Sequence, residues 1–286
     1  MTELAGSGRV IGGQPVSRLA VGGANWSLGP HQDVAAITAT IHTAIDNGIT
    51  TIDTARAYTT LDHPSHNEWV ISQALAAHPD GASVFIATKG GHFRRGRHEF
   101  AVDASPAALR RDCEMSLTTL RRSCIDLYQL HRCDHPSVNL AESVETLAQL
   151  RAEGKIRFLG VCNVTVEQVR LASAITTVDA VQNRYSPLAR DDEVLGHCAD
   201  HGITYLAYSP LGGSGAVRLG LDAPRFAQVG ASRGLTPQQT AIAWLLNRSN
   251  ALIPIVGAGR PASVLSAAAA ARCELTRDEM TALSAL

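Results

Sequence analysis

The chain reads IDLYQLHRCDHPSVNLAESVETLAQLRAEGKIRFLGVCN from residue 125 to residue 163, and this stretch decides the fold class. Residues 125–130 and 158–162 are short apolar runs of the kind that form buried strands. Between them, residues 140–153 carry apolar side chains at helical spacing, and Gly154 follows as a helix-ending residue. A strand, a helix and a second strand in this order predict a βα unit of a parallel sheet.

The same alternation repeats along the chain from Ser17 onward. Eight candidate strands lie at residues 19–22, 50–53, 84–88, 125–130, 158–162, 180–183, 204–207 and 253–256. Candidate helices lie at residues 34–47, 67–77, 105–121, 140–153, 166–174, 193–201, 237–247 and 261–272. An open doubly wound sheet has the same alternation, but eight units favour a closed (β/α)8 barrel, the TIM-barrel form of the α/β class.

Local signals support these boundaries. Ser105-Pro106 and Thr236-Pro237 place a capping hydroxyl before a proline at the first helical position. Near the N-terminus, Gly12-Gly13 lies between β-prone residues and predicts a short N-terminal β-hairpin that closes the barrel floor. Because α/β barrels commonly run to about 250 residues as one domain, we expect a single domain over residues 1–286.

Composition narrows the class of ligand. Hydrophobic residues make up 45% of the chain and charged residues 18%, as in average soluble proteins, and the formal net charge is -1. The scattered charges offer no basic patch for a nucleic acid, and no apolar run has the roughly 20 residues needed to cross a membrane. The N-terminus lacks the pattern of a secretory signal. We therefore expect a cytoplasmic protein with a small-molecule ligand, and the sequence does not indicate an oligomeric state.

The cysteines and histidines do not predict a metal site. The six cysteines lack CxxC pairs and are expected to be reduced thiols. His63, His66, His92 and His98 lack the close paired spacing of metal ligands on one helix face, so we interpret them as loop histidines.

Four polar side chains follow candidate strands at the ends where a barrel places its active site. Asp53 ends the second strand, Tyr58 lies in the loop after it, Lys89 ends the third strand and His131 follows the fourth. Each also has a purely structural interpretation, as a turn residue, a packed aromatic, a solvated strand end or a hydrogen-bonded polar residue. Together, however, a carboxylate, a phenol, an ammonium and an imidazole form a proton-transfer set.

The chemistry of such a set depends on the tyrosine. A phenol with a reference pKa of about 10 must be shifted to exchange protons near neutrality. Lys89 would favour the tyrosinate, and Asp53 would pair with Lys89 and hold it in place. His131 would hydrogen-bond the substrate oxygen and orient it.

These residues belong to a longer series of motifs. The chain contains IDTARAY at residues 52–58, IATK at 86–89, DLYQLH at 126–131, GKIR at 154–157, GVCN at 160–163, VQNRYS at 181–186 and YSPLGG at 208–213. This spaced combination resembles the aldo-keto reductase family over nearly the whole chain. The resemblance implies a catalytic tetrad of Asp53, Tyr58, Lys89 and His131, with NADP(H), or alternatively NAD(H), lying across the barrel mouth.

The resemblance also implies which residues hold the cofactor. Cys162, Asn163 and Gln182 would bind the nicotinamide carboxamide and Tyr208 would stack on its ring. Residues 209–214 resemble the pyrophosphate loop, and residues 254–261 resemble the segment that holds the adenosine phosphate. The implied cofactor-binding residues are Gly23, Ala24, Cys162, Asn163, Gln182, Tyr208, Ser209, Pro210, Leu211, Gly213, Gly257, Ala258, Arg260 and Ser263. Trp26 is implied as an aromatic of the substrate pocket.

Some positions depart from the family pattern. Cys162 replaces the usual serine, so a weaker hydrogen bond to the carboxamide is expected because thiols are poor donors. Thr59 replaces a common glycine after Tyr58, and the following residues, up to Asn67, are expected to alter substrate access.

Arg260 is the candidate for binding the 2′-phosphate of NADP, since a guanidinium suits phosphate. The alternative interpretation is a solvated cation at a helix start.

The resemblance implies NADPH-dependent reduction of an aldehyde or ketone to an alcohol, with Tyr58 as the general acid. Two alternatives stay open. One is an NAD-linked sugar or alcohol dehydrogenase on the same barrel, and the other is a nucleotide-binding regulatory subunit with little turnover. The loops at residues 59–67, 90–103, 132–139 and 212–223 would select the carbonyl or alcohol substrate, which the sequence does not identify.

Overall fold

Eight parallel strands close into a barrel in the computed structural model, which describes residues 8–30, 32–213 and 224–285. The strands are β1 Arg9–Ile11, β2 Gln14–Val16, β3 Ala20–Gly22, β4 Thr51–Asp53, β5 Phe85–Gly90, β6 His92–Arg94, β7 Phe100–Val102, β8 Ile125–Leu130, β9 Ile156–Cys162, β10 Ala180–Arg184, β11 Thr204–Tyr208 and β12 Leu252–Gly257. The barrel runs in the order β3, β4, β5, β8, β9, β10, β11, β12 and closes from β12 back to β3. The predicted (β/α)8 barrel is confirmed.

Most of the helices lie between successive barrel strands, and the last two follow β12. They are α1 Asn25–Leu28, α2 Val34–Asp46, α3 His66–Ala76, α4 Pro106–Leu120, α5 Leu140–Ala152, α6 Val166–Ile175, α7 Asp192–Asp200, α8 Pro224–Arg233, α9 Pro237–Arg248, α10 Pro261–Ala270 and α11 Arg277–Ser284. None of the helices in the described part of the chain has the length and apolar character to cross a membrane.

The capping signals read from the sequence act as expected. The Ser105 hydroxyl accepts a hydrogen bond from the Ala108 amide at the start of α4. Thr236 and Gln239 form a capping box at the start of α9, so two backbone amides gain side-chain partners there. At the end of α5, Gly154 takes a φ of 74°, a left-handed backbone that glycine adopts without strain.

The N-terminal β-hairpin covers the floor of the barrel, as predicted. β1 and β2 pair antiparallel, with Gly12 and Gly13 in the turn at φ values of 56° and 84°. Ile11 and Val16 of the hairpin are buried against an apolar layer inside the barrel. Within the described residues, a buried layer under a covered floor leaves the opposite end of the barrel for a ligand.

Several elements, including the short helix α1, were not predicted from the sequence. β6 and β7 pair as a second antiparallel hairpin in what was expected to be a loop between β5 and α4. The helices α8 and α11 lie after β11 and after α10, outside the eight regular units. The loop expected at residues 212–223 lies outside the described residues from residue 214 onward.

Arg9 fastens the N-terminal hairpin to the barrel. Its guanidinium is 4% exposed and donates hydrogen bonds to the carbonyl oxygens of Leu252 at 3.2 Å and Leu246 at 2.8 Å. It also donates to the Asn250 side chain at 3.1 Å. It donates as well to the Ser249 carbonyl at 3.3 Å, so a single side chain satisfies acceptors on four residues near β12, two of them buried.

We expect Arg9→Ala to lower the free energy of unfolding by about 1.5–3 kcal/mol, because buried acceptors lose a charged donor. Urea unfolding followed by circular dichroism measures this loss. Val10→Ala is the matched control on the same strand, since Val10 is 51% exposed and should change stability little. Equal stability of Arg9→Ala and the native protein would contradict the anchoring role.

Candidate active site

The carboxyl ends of the barrel strands open on a cleft of about 880 Å³. This volume lies near the top of the range of roughly 300–1,000 Å³ for small-molecule and cofactor sites. The predicted site residues that line it are Ala24, Asp53, Tyr58, His131, Cys162, Asn163, Gln182, Tyr208, Ser209, Pro210, Leu211, Gly213, Gly257, Arg260 and Ser263. Residues spread over most of the chain therefore meet at one cavity.

A buried ion pair lies at the base of the cleft. Lys89 Nζ donates to both carboxylate oxygens of Asp53 at 2.8 Å and to the carbonyl oxygen of Thr54 at 2.8 Å. Lys89 is 1% exposed and Asp53 is 4% exposed. Burial alone would lower the pKa of Lys89, but the charges of Asp53 and Tyr58 and the hydrogen bonds to Asp53 raise it above its ordinary value. Lys89 is therefore charged at neutral pH.

Two buried glutamines extend this network across the barrel. Gln182 Nε2 donates to Asp53 Oδ1 at 2.8 Å and lies 3.4 Å from Gln129 Oε1. Gln129 is fully buried, and its Nε2 has no hydrogen-bond partner among the described residues. The sequence reasoning missed Gln129, although it follows Tyr128 inside the DLYQLH motif.

Tyr58 lies beside the ion pair. Lys89 Nζ is 5.3 Å from the centre of the phenol ring, and the Tyr58 and His131 rings meet edge to face at 5.9 Å. Burial raises the pKa of the Tyr58 phenol above its ordinary value, and this effect outweighs the opposing attraction of the Lys89 ammonium. Lys89 lowers the pKa of Tyr58, as expected. The expected net lowering of that pKa is nevertheless wrong for this structure, because burial raises it by more.

His131 follows β8 and is 8% exposed. Burial lowers its pKa well below the ordinary value, and Lys89, His92 and Arg132 add to the shift. Its Nδ1 has no hydrogen-bond partner in the described part of the chain. The imidazole is therefore neutral at physiological pH, and it retains a donor and an acceptor.

The segment after β9 is held by amide hydrogen bonds. Asn163 Nδ2 donates to the His131 carbonyl at 3.0 Å, and the Tyr208 hydroxyl donates to Asn163 Oδ1 at 2.8 Å. Asn163 takes a φ of 58°, which is uncommon for a residue with a side chain. Left-handed residues of this kind cluster at functional sites.

The Cys162 thiol is 1% exposed and donates to Gln129 Oε1 at 3.6 Å, so this donor already has a partner in the protein.

The loop after β11 turns sharply at the cleft. Ser209 has a φ of 53°, and Gly212 and Gly213 have φ values of 100° and 89°. The Gly212 amide donates to the Ser209 carbonyl at 2.8 Å. A tight turn with glycine lets backbone amides approach an anion closely, as the sequence predicts for this loop.

The other end of the cleft lies at the start of α10. Arg260 is the N-cap residue of this helix, is exposed, and makes no side-chain capping hydrogen bond. Ser263 lines the cleft in the first turn. Free amides at a helix N-terminus favour an anion.

Trp26 lies in the core rather than at the cleft, which corrects the expectation of a pocket aromatic. It is fully buried, and its Nε1 donates to the Ala258 carbonyl at 2.7 Å. Gly23, Ala258 and Lys89 are likewise absent from the cleft lining among the described residues. Gly23 supports the site from behind, since its amide donates to the Asp53 carbonyl at 2.8 Å.

Several residues of the cleft were not proposed from the sequence as site residues. They include His92, Arg132, Asp134, Gln238 and Ser266. Arg132 and Asp134 directly follow His131 and were detectable by their position after a barrel strand. His92 begins β6, and the helix and strand periodicities do not predict the pairing of β6 with β7 that holds it. No group of three His, Cys, Asp or Glu side chains within the described ranges is arranged to hold a metal ion.

We expect Lys89→Met to lower the free energy of unfolding by about 3–5 kcal/mol, because it leaves the Asp53 charge buried without a partner. The double variant Lys89→Met/Asp53→Asn should recover much of the loss, since it removes that charge. Lys155→Met is the matched control: Lys155 pairs with Glu114 and Glu153 at the surface, where such pairs contribute about 1 kcal/mol or less. Urea unfolding of all three variants measures the difference, and equal losses for Lys89→Met and Lys155→Met would contradict it.

The model of the Aldo/keto reductase family matches residues 18–286. A probable aldo-keto reductase of Glycine max is 34% identical over 75% of this chain and 68% of its own length. An uncharacterized oxidoreductase of Schizosaccharomyces pombe is 33% identical over 80% of this chain and 72% of its own length.

Solved structures agree with the sequence comparisons. A glycerol dehydrogenase of Gluconobacter oxydans superimposes with a TM-score of 0.83 at 28% identity, covering 98% of this chain and 94% of that one. An aldo/keto reductase of Klebsiella pneumoniae, in complex with NADP and acetate, superimposes with a TM-score of 0.79 at 29% identity, covering 96% and 93%. The chain therefore belongs to the aldo/keto reductase family and is an oxidoreductase.

Proposed function

We propose that the protein reduces an aldehyde or ketone to an alcohol with NADPH, and that Tyr58 is the proton donor. The observation that carries this proposal is the edge-to-face contact of Tyr58 and His131 at 5.9 Å, beside the buried Lys89–Asp53 pair and within one cleft. A neutral phenol and a neutral imidazole at this spacing suit two hydrogen bonds to one carbonyl oxygen.

The residues of the cleft fit a nicotinamide dinucleotide. At one end, Asn163 and Gln182 offer amides beside the proposed reaction centre, and Tyr208 offers a ring that lines the cleft. At the other end, the first turn of α10 and the Arg260 guanidinium offer positive potential for phosphate. The Klebsiella pneumoniae relative in complex with NADP supports the choice of cofactor.

In the proposed mechanism, Asn163, Gln182 and the first turn of α10 would hold NADPH, which would supply the hydride for the carbonyl carbon. His131 donates a hydrogen bond to the carbonyl oxygen and orients it. Tyr58 transfers its phenolic proton to that oxygen, which completes the alcohol. Lys89 is held by Asp53, and its ammonium lies over the Tyr58 ring, 5.3 Å from the ring centre. It therefore stabilises the negative charge that Tyr58 acquires.

The same residues can run the reaction in reverse. The structural similarity to a glycerol dehydrogenase of Gluconobacter oxydans favours alcohol oxidation as a second candidate function. In that direction, a deprotonated Tyr58 would take the hydroxyl proton of the substrate. Because burial raises the pKa of Tyr58, oxidation should require a higher pH than reduction.

We expect Tyr58→Phe to lower kcat/KM for carbonyl reduction by about 10²–10⁴-fold, because the general acid is lost. The affinity for NADPH should stay close to that of the native protein. In the native protein, the rate of reduction should fall only above the ordinary tyrosine pKa, since the raised pKa of Tyr58 keeps the phenol protonated. Steady-state kinetics over a panel of aldehydes and ketones, with NADPH binding followed by fluorescence, measure both quantities.

Tyr185→Phe is the matched control for this variant, since the Tyr185 hydroxyl bonds Asp192 and the residue does not line the cleft. Full reductase activity of Tyr58→Phe would overturn the assignment of the proton donor. A native protein that binds NADPH but reduces no carbonyl in the panel would instead indicate the regulatory-subunit alternative.

We expect Arg260→Ala to weaken NADPH binding by roughly 10-fold or more and to leave NADH binding nearly unchanged. A charge-assisted hydrogen bond of about 1.5–3 kcal/mol to the 2′-phosphate would be lost, and NADH has no such phosphate. Arg272→Ala is the control, because Arg272 lies just beyond the opposite end of α10 and outside the cleft lining. Equal weakening for both nicotinamides would show that Arg260 does not read the 2′-phosphate.

A further inference from the structure

A second imidazole lies next to His131. His92, the first residue of β6, meets the His131 ring edge to face at 4.8 Å and lines the cleft. His92 is 8% exposed, and its Nδ1 has no hydrogen-bond partner among the described residues. The mechanism proposed above uses His131 and leaves His92 without a role. A buried polar group that lacks a partner is costly, so its position at the cleft calls for an explanation.

The hairpin of β6 and β7 holds His92 in this position. The ring packs on Phe100 of β7 at 5.1 Å, and β6 pairs with β7 from His92↔Val102 onward. The Arg94 guanidinium donates to the Thr59 carbonyl, which ties the hairpin to the loop that carries Tyr58. The ring is therefore placed by packing on a paired hairpin.

The cleft is lined by polar side chains around His131, and other elements contribute apolar residues to it. His92, Arg132 and Asp134 line it around His131. The apolar lining residues come from β12, from the loop after β11 and from α9 and α10, and include Ile242, Ile255, Val256 and Ala267. A substrate whose reacting oxygen contacts Tyr58 and His131 therefore places its next atoms against polar side chains.

These polar groups carry no net charge. Arg132 donates to both carboxylate oxygens of Asp134 at 2.8 Å and 2.9 Å, so the two charges offset each other. Burial lowers the pKa of His92 to about 4, and the Arg132 charge adds to that shift. His92 is therefore a neutral imidazole with one donor and one acceptor at physiological pH. Such a group suits an uncharged oxygen better than a carboxylate.

We propose that His92 is a specificity-determining residue, whose ring hydrogen-bonds a second, uncharged oxygen of the substrate on the carbon next to the reacting carbonyl. This inference rests on the proposed function, because it assumes that a carbonyl oxygen lies against Tyr58 and His131. Rings with centres 4.8 Å apart are close enough for oxygens on neighbouring carbons of one molecule to contact both. The substrate class is then a 2-hydroxy carbonyl or a vicinal dicarbonyl compound.

The test compares three aldehydes of nearly equal size with NADPH: glycolaldehyde, propanal and glyoxylate. They present a hydroxyl, a methyl and a carboxylate at the same position. We expect the native protein to prefer glycolaldehyde over propanal by about 10-fold or more in kcat/KM, since a site that hydrogen-bonds a hydroxyl rejects the analogue without it. Glyoxylate should be a poorer substrate than glycolaldehyde. Concentrations refer to the free aldehyde, measured by NMR.

His92→Phe keeps a ring on Phe100 but removes both nitrogens, and we expect it to lower the glycolaldehyde-to-propanal ratio by roughly 10-fold, mainly through a higher KM for glycolaldehyde. His92→Gln keeps a donor and an acceptor and should retain most of the preference. His98→Phe is the matched control, because His98 is exposed on the same hairpin and outside the cleft lining. Thermal melting checks that each variant is folded, and His92→Gln keeps the test informative if His92→Phe does not fold.

A ratio that is the same in the native protein and in His92→Phe would show that the ring does not recognise the substrate hydroxyl, and the inference would be overturned. If the native protein preferred glyoxylate, the proposal that the second substrate oxygen is uncharged would be overturned. Reduction of propanal as fast as glycolaldehyde by the native protein contradicts the role of His92 but leaves the proposed function intact. If none of the three aldehydes is reduced but another carbonyl of the panel is, the role of His92 is contradicted alone, whereas reduction of no carbonyl in the panel contradicts both proposals.

Discussion

Lys89 Nζ lies 2.8 Å from both carboxylate oxygens of Asp53 at the mouth of the barrel, where neither charge is exposed to water. Two buried ions of this kind remain charged only when each is paired and hydrogen-bonded. The Thr54 carbonyl and the Gln182 amide supply the further hydrogen bonds that the pair needs. Because these partners come from β10 and from the segments at β4 and β5, the ion pair also fixes how the strands meet at the site.

Barrel closure is what allows this arrangement. In parallel strands, all carboxyl ends lie at one rim, and the closed order brings β10 across the interior from β4 and β5. The floor is covered by the N-terminal hairpin, and so the polar groups at the rim face a single opening. Residues as far apart in sequence as Asp53 and Gln182 thus hydrogen-bond across the barrel interior.

The sequence predicted the barrel well because each strand and helix has a local cause. The eight predicted strands all exist, and that of residues 125–130 has the same bounds in the structure, since apolar periodicity and helix-ending glycines are encoded locally. The convergence of Asp53, Tyr58, Lys89 and His131 also followed from their positions after strands.

Trp26 was assigned wrongly because no local pattern tells whether a ring after a strand turns towards the cleft or into the core. His92 was missed because it depends on a hairpin formed by a segment without strand periodicity, and Gln129 because a polar residue inside a strand is not distinguished from its neighbours.

The pKa of Tyr58 could not be predicted from the sequence, because it depends on the balance between burial and charge. Lys89 favours the tyrosinate, but its ammonium is already engaged with Asp53, whose negative charge opposes that effect on the phenol. Burial favours the neutral form of the neighbouring imidazoles as well, because it lowers the pKa of both His131 and His92. The site thus contains one ion pair surrounded by neutral donors. Because its pKa is raised, Tyr58 is protonated at neutral pH, and in the proposed mechanism it is then present in the form that donates a proton. Proton transfer to the substrate would create the tyrosinate next to the only ammonium in the cleft's described surroundings, which offsets part of the cost of forming that charge.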